Sequence, residues 1–336
     1  MQTFIIKGSN AAQADGEIEN KRARAAGGLA TRQRWLLAGA SAMAMGLAAI
    51  GGAPASAEDC LLDTNDNGEA DDGVDTDGGA DSSGVNARLA CGVGAEASGA
   101  FSTALGGSSR ALGTEATAVG NNAYAGSSAS TAIGSDSVAS GPSATAVGEG
   151  AEASSYYTIA LGAAATANAQ YAIGLGYQSD ATALYAIALG AWSDATGLGA
   201  VAIGGDGDDG DSLGAQATAD GAIALGRDTN AGGISAIAVG ENSVASAEGA
   251  LALGLDSVAS SSFATAVGEG AEASGLGALA LGRSSNATAA NSISVGLGSS
   301  AQGVRATSIG FSADAGGSDA IAIGNNAQGS GTSSIA

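Results

Sequence analysis

The chain has 336 residues, with 11 basic and 33 acidic side chains, no histidine and a formal net charge of −22. Glycine supplies 57 residues and aromatics only 4%, which excludes one large conventional core. The acidity excludes nucleic acid and anionic membranes as partners, and the missing histidine removes the commonest catalytic base.

Residues 1–57 read as a signal peptide with an extended n-region. Lys21, Arg22, Arg24, Arg32 and Arg34 form its basic part. Leu36 to Ile50 is the apolar part, and Ala55-Ser56-Ala57 is the small-residue cleavage site before Glu58. The apolar run is too short and too rich in Gly and Ala for a permanent span. Cys60 has no lipobox before it. Removing this segment takes away 6 basic and 3 acidic groups, so the remainder carries 5 and 30, a net charge of −25, with no lysine.

Residues 58–87 form an acidic Gly-rich segment with ten carboxylates. Asp63, Asn65, Asn67 and Asp71, with Gly68 at the turn, match the opening of a calcium loop. Val74 stands where the bidentate Glu of that loop belongs, so Asp72 or Asp75 would have to replace it. The competing reading is an acidic spacer that binds nothing.

From residue 88 to 336 the chain repeats. Glycines recur every 14 residues from Gly92 to Gly204 and again from Gly226 to Gly324. The one gap, 22 residues, is 14 plus an insertion of 8 at 205–212. Counting slots from each glycine, −1 and −3 are aliphatic or Thr, as in Ile187 and Leu189, while −2 and −4 are small, as in Ala186 and Ala188. This alternation is the period of a strand. A second strand follows, with small residues at +3 and +5 and polar ones at +4 and +6. A short strict period of this kind predicts an all-β solenoid of about 17 fourteen-residue coils, each with two strands and two turns. At the interstrand spacing it would be roughly 80 Å long. Proline would interrupt the ladders, and after residue 57 only Pro142 occurs, in a turn slot. The first strand is apolar on both faces, so one face fills the roll and the other needs a partner. The sequence leaves open which face is which.

Asn291-Ser292-Ile293-Ser294-Val295-Gly296 and Ser130-Thr131-Ala132-Ile133-Gly134-Ser135-Asp136-Ser137-Val138-Ala139 carry a family resemblance. The repeat resembles the head of YadA-like trimeric autotransporter adhesins, and the resemblance covers about 88–336. It implies a left-handed parallel β-roll in a homotrimer, displayed on the outer membrane of a Gram-negative bacterium and used in attachment and virulence. The family continues into a neck, stalk and membrane anchor. None is legible here, so the chain reads as a fragment, or as secreted if complete.

Candidate sites are few. Without His or Lys, and with carboxylates in turn and outer slots, the repeats do not read as an enzyme. Glu149 and Glu152 recur as Glu269 and Glu272 inside a longer duplication, which marks them as copied turn residues. The insertion offers Asp206, Asp208, Asp209 and Asp211, as a binding loop or a solvated excursion that leaves the register intact. Tyr157, Tyr171 and Tyr185 share slot +9 in consecutive coils, predicting an aromatic ladder with Trp192 nearby in sequence. Ladder and insertion together are the expected binding region. Cys91 stands at −1, which favours a buried thiol, yet a secreted chain also permits a disulfide between Cys60 and Cys91.

Three functions fit this sequence. The first is an adhesin head for extracellular matrix protein, cell-surface or glycan ligands. The second is a structural spacer or surface-layer fibre. The third, an ice-binding solenoid, would use the Thr103, Thr117, Thr131 and Thr145 row, but Ile159, Ile173 and Ile187 continue that slot and suggest a buried face.

Overall fold

The computed structural model describes residues 81, 88–207 and 212–336. The signal segment, the calcium-loop residues Asp63, Asn65, Asn67 and Asp71, Cys60, and Asp208, Asp209 and Asp211 lie outside the described residues. Among the described residues the secondary structure is strand and turn, and no helix is long and apolar enough to cross a membrane.

Two kinds of strand alternate along the chain. A three-residue strand, β1 (Leu89–Cys91), is followed by a two-residue strand, β2 (Glu96–Ala97). The pattern continues through β3 (Thr103–Leu105) and β4 (Arg110–Ala111) to β33 (Ile321–Ile323) and β34 (Gln328–Gly329). Long strands pair only with long ones, and short with short, always in parallel. Leu89 pairs with Thr103 and Glu96 with Arg110, each residue opposite its equivalent 14 positions on. The chain is therefore a parallel β-solenoid of about 17 coils with two ladders, as the glycine period predicts. Across the insertion the partners are 22 apart, Asp194 with Gln216 and Val201 with Ile223, so the extra residues leave the register intact. Before the first coil, Asp81 adds one bridge to Glu96.

Alanine fills the interior. Slots −2, −4, +3 and +5 all point inward, and Ala186, Ala188, Ala195 and Ala202 are fully buried. Where Ser or Thr takes an inward slot, the hydroxyl usually donates to a carbonyl three residues back. Ser137 Oγ reaches Gly134 O, and Thr229 Oγ1 reaches Gly226 O, each at 2.9 Å. A buried hydroxyl without such a partner would be costly, and this local bond removes most of that cost.

The large aliphatics at −1 and −3 thus face outward. An interior lined by Ala, Ser, Thr and Gly has no room for Leu or Ile, and this settles what the sequence left open. It also corrects the reading of Cys91, which lies on the outer face, half-buried, rather than inside the roll. Cys91 is disulfide-bonded.

Two turns close each coil. The glycine that sets the period has a φ that L side chains rarely adopt. At Gly254 φ is +136°, and an added Cβ would lie 2.6 Å from the carbonyl oxygen of Gly268 in the next coil. Slots +2 and +9 are also left-handed but carry side chains, as at Asn122 (φ 56°) and Tyr171 (φ 62°). Polar side chains in these columns bond from coil to coil: Asn122 Nδ2 donates to Asp136 Oδ1 at 2.8 Å.

Candidate functional site

Three outer surfaces carry the chemistry. The first is the outer face of the long-strand ladder. Its −1 and −3 columns form a continuous sheet of Leu, Ile, Val and Thr, with Cys91 in the first coil. Leu105, Ile133 and Leu281 remain 42%, 40% and 42% exposed there. Seventeen strands of two outward residues present roughly 800 Å² of mainly apolar surface, from the standard strand spacing. Isolated chains rarely expose a patch of that size.

The second surface is the edge formed by the +9 turns. Tyr157 stacks on Tyr171 with ring centroids 5.5 Å apart and planes 3° from parallel. Tyr171 stacks on Tyr185 at 5.1 Å and 2°. Tyr156 leans on Tyr157 at 45°. All three ladder tyrosines are left-handed, with φ of 57°, 62° and 61°. That conformation costs about 1–2 kcal/mol per residue, while each stack returns about 0.5–1.5 kcal/mol. Two stacks therefore offset only part of the strain of three left-handed residues, and the ring faces are largely spent on each other. Farther along the same edge, Arg305 donates two hydrogen bonds of 2.7 Å to the Asp319 carboxylate. That pairing holds the Asp319 carboxyl below its ordinary range.

The third surface lies at the opposite edge, where the insertion replaces a +1/+2 turn. Both of its ends are pinned. Asp206 N donates to Ala191 O at 3.1 Å, and Gly207 N donates to Asp228 Oδ1 at 2.9 Å. On the far side Gly214 N donates to Trp192 O at 3.0 Å, and Ala215 N donates to Gly204 O at 3.1 Å. Beside it opens a cavity of about 390 Å³, lined by Gln178, Asp180, Trp192, Asp194, Leu213 and Gln216, among others. Tyr177 meets the Trp192 ring edge-on, at 5.4 Å and 82°.

Asp180 and Asp194 are directly opposite each other in the short-strand ladder. Their Oδ1 atoms, and Gln178 Oε1, are buried with no hydrogen-bond partner. Burial pushes the Asp180 carboxyl above its ordinary range, and the Glu152 carboxylate adds to the effect. Asp194 is raised likewise, first by burial and then by Asp180.

Residues 89–336 match, in overlapping windows, the family described as YadA head domain repeat (2 copies). The chain belongs to the YadA head family. The windows pause only near the insertion, between 206 and 214, and briefly at two later coil junctions. A search of curated proteins returns no match.

Seen as a YadA head, the chain sorts its candidate residues differently from the sequence reading. Tyr157, Tyr171 and Tyr185 do meet in a ladder. Trp192 and Asp206, however, sit at the other edge of the coil, so ladder and insertion are not one region. Tyr185 and Trp192 are seven residues apart, half a coil, which places them on opposite turns. The Thr103, Thr117, Thr131 and Thr145 column faces outward with the aliphatics, not inward as the isoleucines in that slot suggested. What sets it apart from an ice-binding row is the change to Ile159, Ile173 and Ile187 along the same outer column. Among the described residues, no three His, Cys, Asp or Glu side chains are grouped to hold a metal ion. Asp180, Asp194 and Gln178 did not stand out in the sequence. Their signal was like charges in one slot 14 residues apart.

Proposed function

We propose that the chain is the head of a trimeric adhesin, exported and displayed on the surface of a Gram-negative cell, where it attaches to matrix proteins, cell-surface molecules or glycans. One observation carries the reading: the long-strand ladder turns an apolar face of roughly 800 Å² outward. That matches what each partner contributes to a stable interface, and covering it with two copies of itself satisfies every coil by one rule. The family supports three copies rather than two. Calcium on Asp63, Asn65, Asn67 and Asp71 belongs to the same proposal, and calorimetric titration tests it.

Light scattering on the purified chain tests the assembly. A mass three times that of the chain is expected, and a monomer would overturn the reading. Attachment is measured separately, on immobilised collagen, fibronectin and whole cells. A second reading, a spacer fibre, draws on the tyrosine ladder, whose ring faces are used up in stiffening one edge. A trimer that attaches to none of these surfaces favours the spacer.

A further inference from the structure

We propose that copies of this chain meet edge to edge, parallel and in register, each +1/+2 turn lying against the +8/+9 turn of the same coil in the next copy. What points to this is a match between two edges that lie on opposite turns of the roll. Outside the coil that holds the insertion, six coils carry a large apolar side chain at +1 or +2. In five of these six, the +8 or +9 turn of the same coil carries one too. Val93 goes with Phe101, and Leu255 with Phe263, all four exposed. Tyr177 goes with Tyr185, Trp192 with Leu198, and Leu297 with Val304. Phe311 is the exception, opposite Ser318 and Asp319. In other coils both turns are polar together, as at Glu241 and Glu248 or Asn121 and Ser128.

A ring of parallel copies accounts for the match. Repeating one contact around an axis places one edge of each copy against the other edge of the next. When that axis runs along the roll, equivalent coils meet at the same level. An antiparallel pair would set like edges together and leave a match between unlike edges without a cause. Register matters as well: slid by one coil in either direction, only two or three of the six +1/+2 residues find an apolar partner. In register, exposed rings and aliphatic side chains cover one another and leave water, whereas a slid copy sets several of them against Glu, Asp, Ser or Thr. Both edges are continuous with the outer apolar face, since Leu253 precedes Leu255 and Thr265 follows Phe263. The partner is thus a second copy of this chain rather than a different protein. The +8/+9 edge holds a surplus at Tyr157, Tyr171, Ile234 and Leu276, and the two tyrosines spend theirs by stacking. The inference rests on the head assembling with itself and adds which edges meet and in what register.

Paired cysteines in the full chain test the contact, read on a non-reducing denaturing gel after mild oxidation. The parent chain serves as blank, because Cys91 is already disulfide-bonded. Leu255→Cys with Phe263→Cys is expected to give mostly covalent trimer, since each copy is then tied to the next. Leu297→Cys with Val304→Cys repeats the test in another coil should the first pair fail to fold, which a thermal melt reveals. Each single variant should remain one chain on the gel, because its cysteine meets an apolar side chain of the next copy and not its own equivalent. Leu255→Cys with Val304→Cys, three coils or about 14 Å out of register, should give at most about a tenth of the in-register product. A trimer by light scattering that forms no covalent product with either in-register pair overturns this proposal alone. So does a single variant, or the offset pair, that links as well as the in-register pairs. A monomer by light scattering overturns the assembly itself, and the edge contact with it.

Discussion

The two ladders are built from the same coil yet show opposite outsides. The long-strand ladder presents Ile187, Leu189, Val201 and Ile203. The short-strand ladder presents Thr166, Asp180, Asp194 and Gln216 in the same stretch of chain. Their insides are identical, alanine against alanine. Inward slots are thus fixed by space and outward slots by what each face meets. An apolar outside calls for more protein, while a polar outside can meet solvent or a ligand.

The largest effect should come from making the first face resemble the second. Leu189→Asp with Ile203→Asp is expected to remove about 4 kcal/mol or more of association, taking two central apolar contacts at about 2 kcal/mol each. Light scattering would then show a monomer whose circular dichroism is still that of strands. Thr166→Asp on the polar face should leave the mass unchanged, and a shift there would undo the contrast between the faces.

Ala188→Leu attacks what the ladders share. Overfilling an interior made for alanine typically costs about 1–3 kcal/mol, seen as a lower melting temperature. A neutral result would mean that the two walls can part to admit a large side chain.

Tyr171→Ala removes two stacks and leaves the left-handed turn as strained as before, because alanine keeps the Cβ. The expected loss is about 1–3 kcal/mol by denaturant melt, with the mass unchanged.

The smallest effect belongs to the polar face. The Asp194 carboxyl is raised in the fold, so the folded chain holds its proton more readily than the unfolded one. As pH falls from neutral through the folded value toward the ordinary carboxylate range, the fold gains stability relative to the unfolded chain. Asp194→Asn removes the repulsion throughout. At pH 7 it should stabilise by about 0.5 kcal/mol, and the advantage should shrink as the parent protonates. A gap that stays constant between pH 7 and pH 4 would show that the pair does not titrate together.

Much of this was legible beforehand. The 14-residue period specifies every pairing, such as Ile187 with Val201, because register follows from a repeat without knowledge of the fold. Orientation was not legible. When both faces of a strand are apolar, alternation alone cannot say which looks inward, and only the width of the interior decides. The edges were hidden for a related reason. Tyr185 and Trp192 look adjacent in a linear reading, but half a coil separates them. The cavity depends on polar groups that local rules treat as ordinary surface. Asp180 and Gln178 become unusual only once Trp192 and Leu213 come to line the same space.

The constant step has a kinetic meaning as well. Each long strand pairs with the coil before and the coil after, so nearly every contact closes a loop of 14 residues, and only the insertion lengthens one to 22. Measured against the whole repeat region, that is a relative contact order of about 0.06, far below the usual value for sheet proteins. The roll can therefore zip up coil by coil from any nucleus, as solenoids do. Adding coils would lengthen the head without adding a slower step, so reach and folding speed are decoupled.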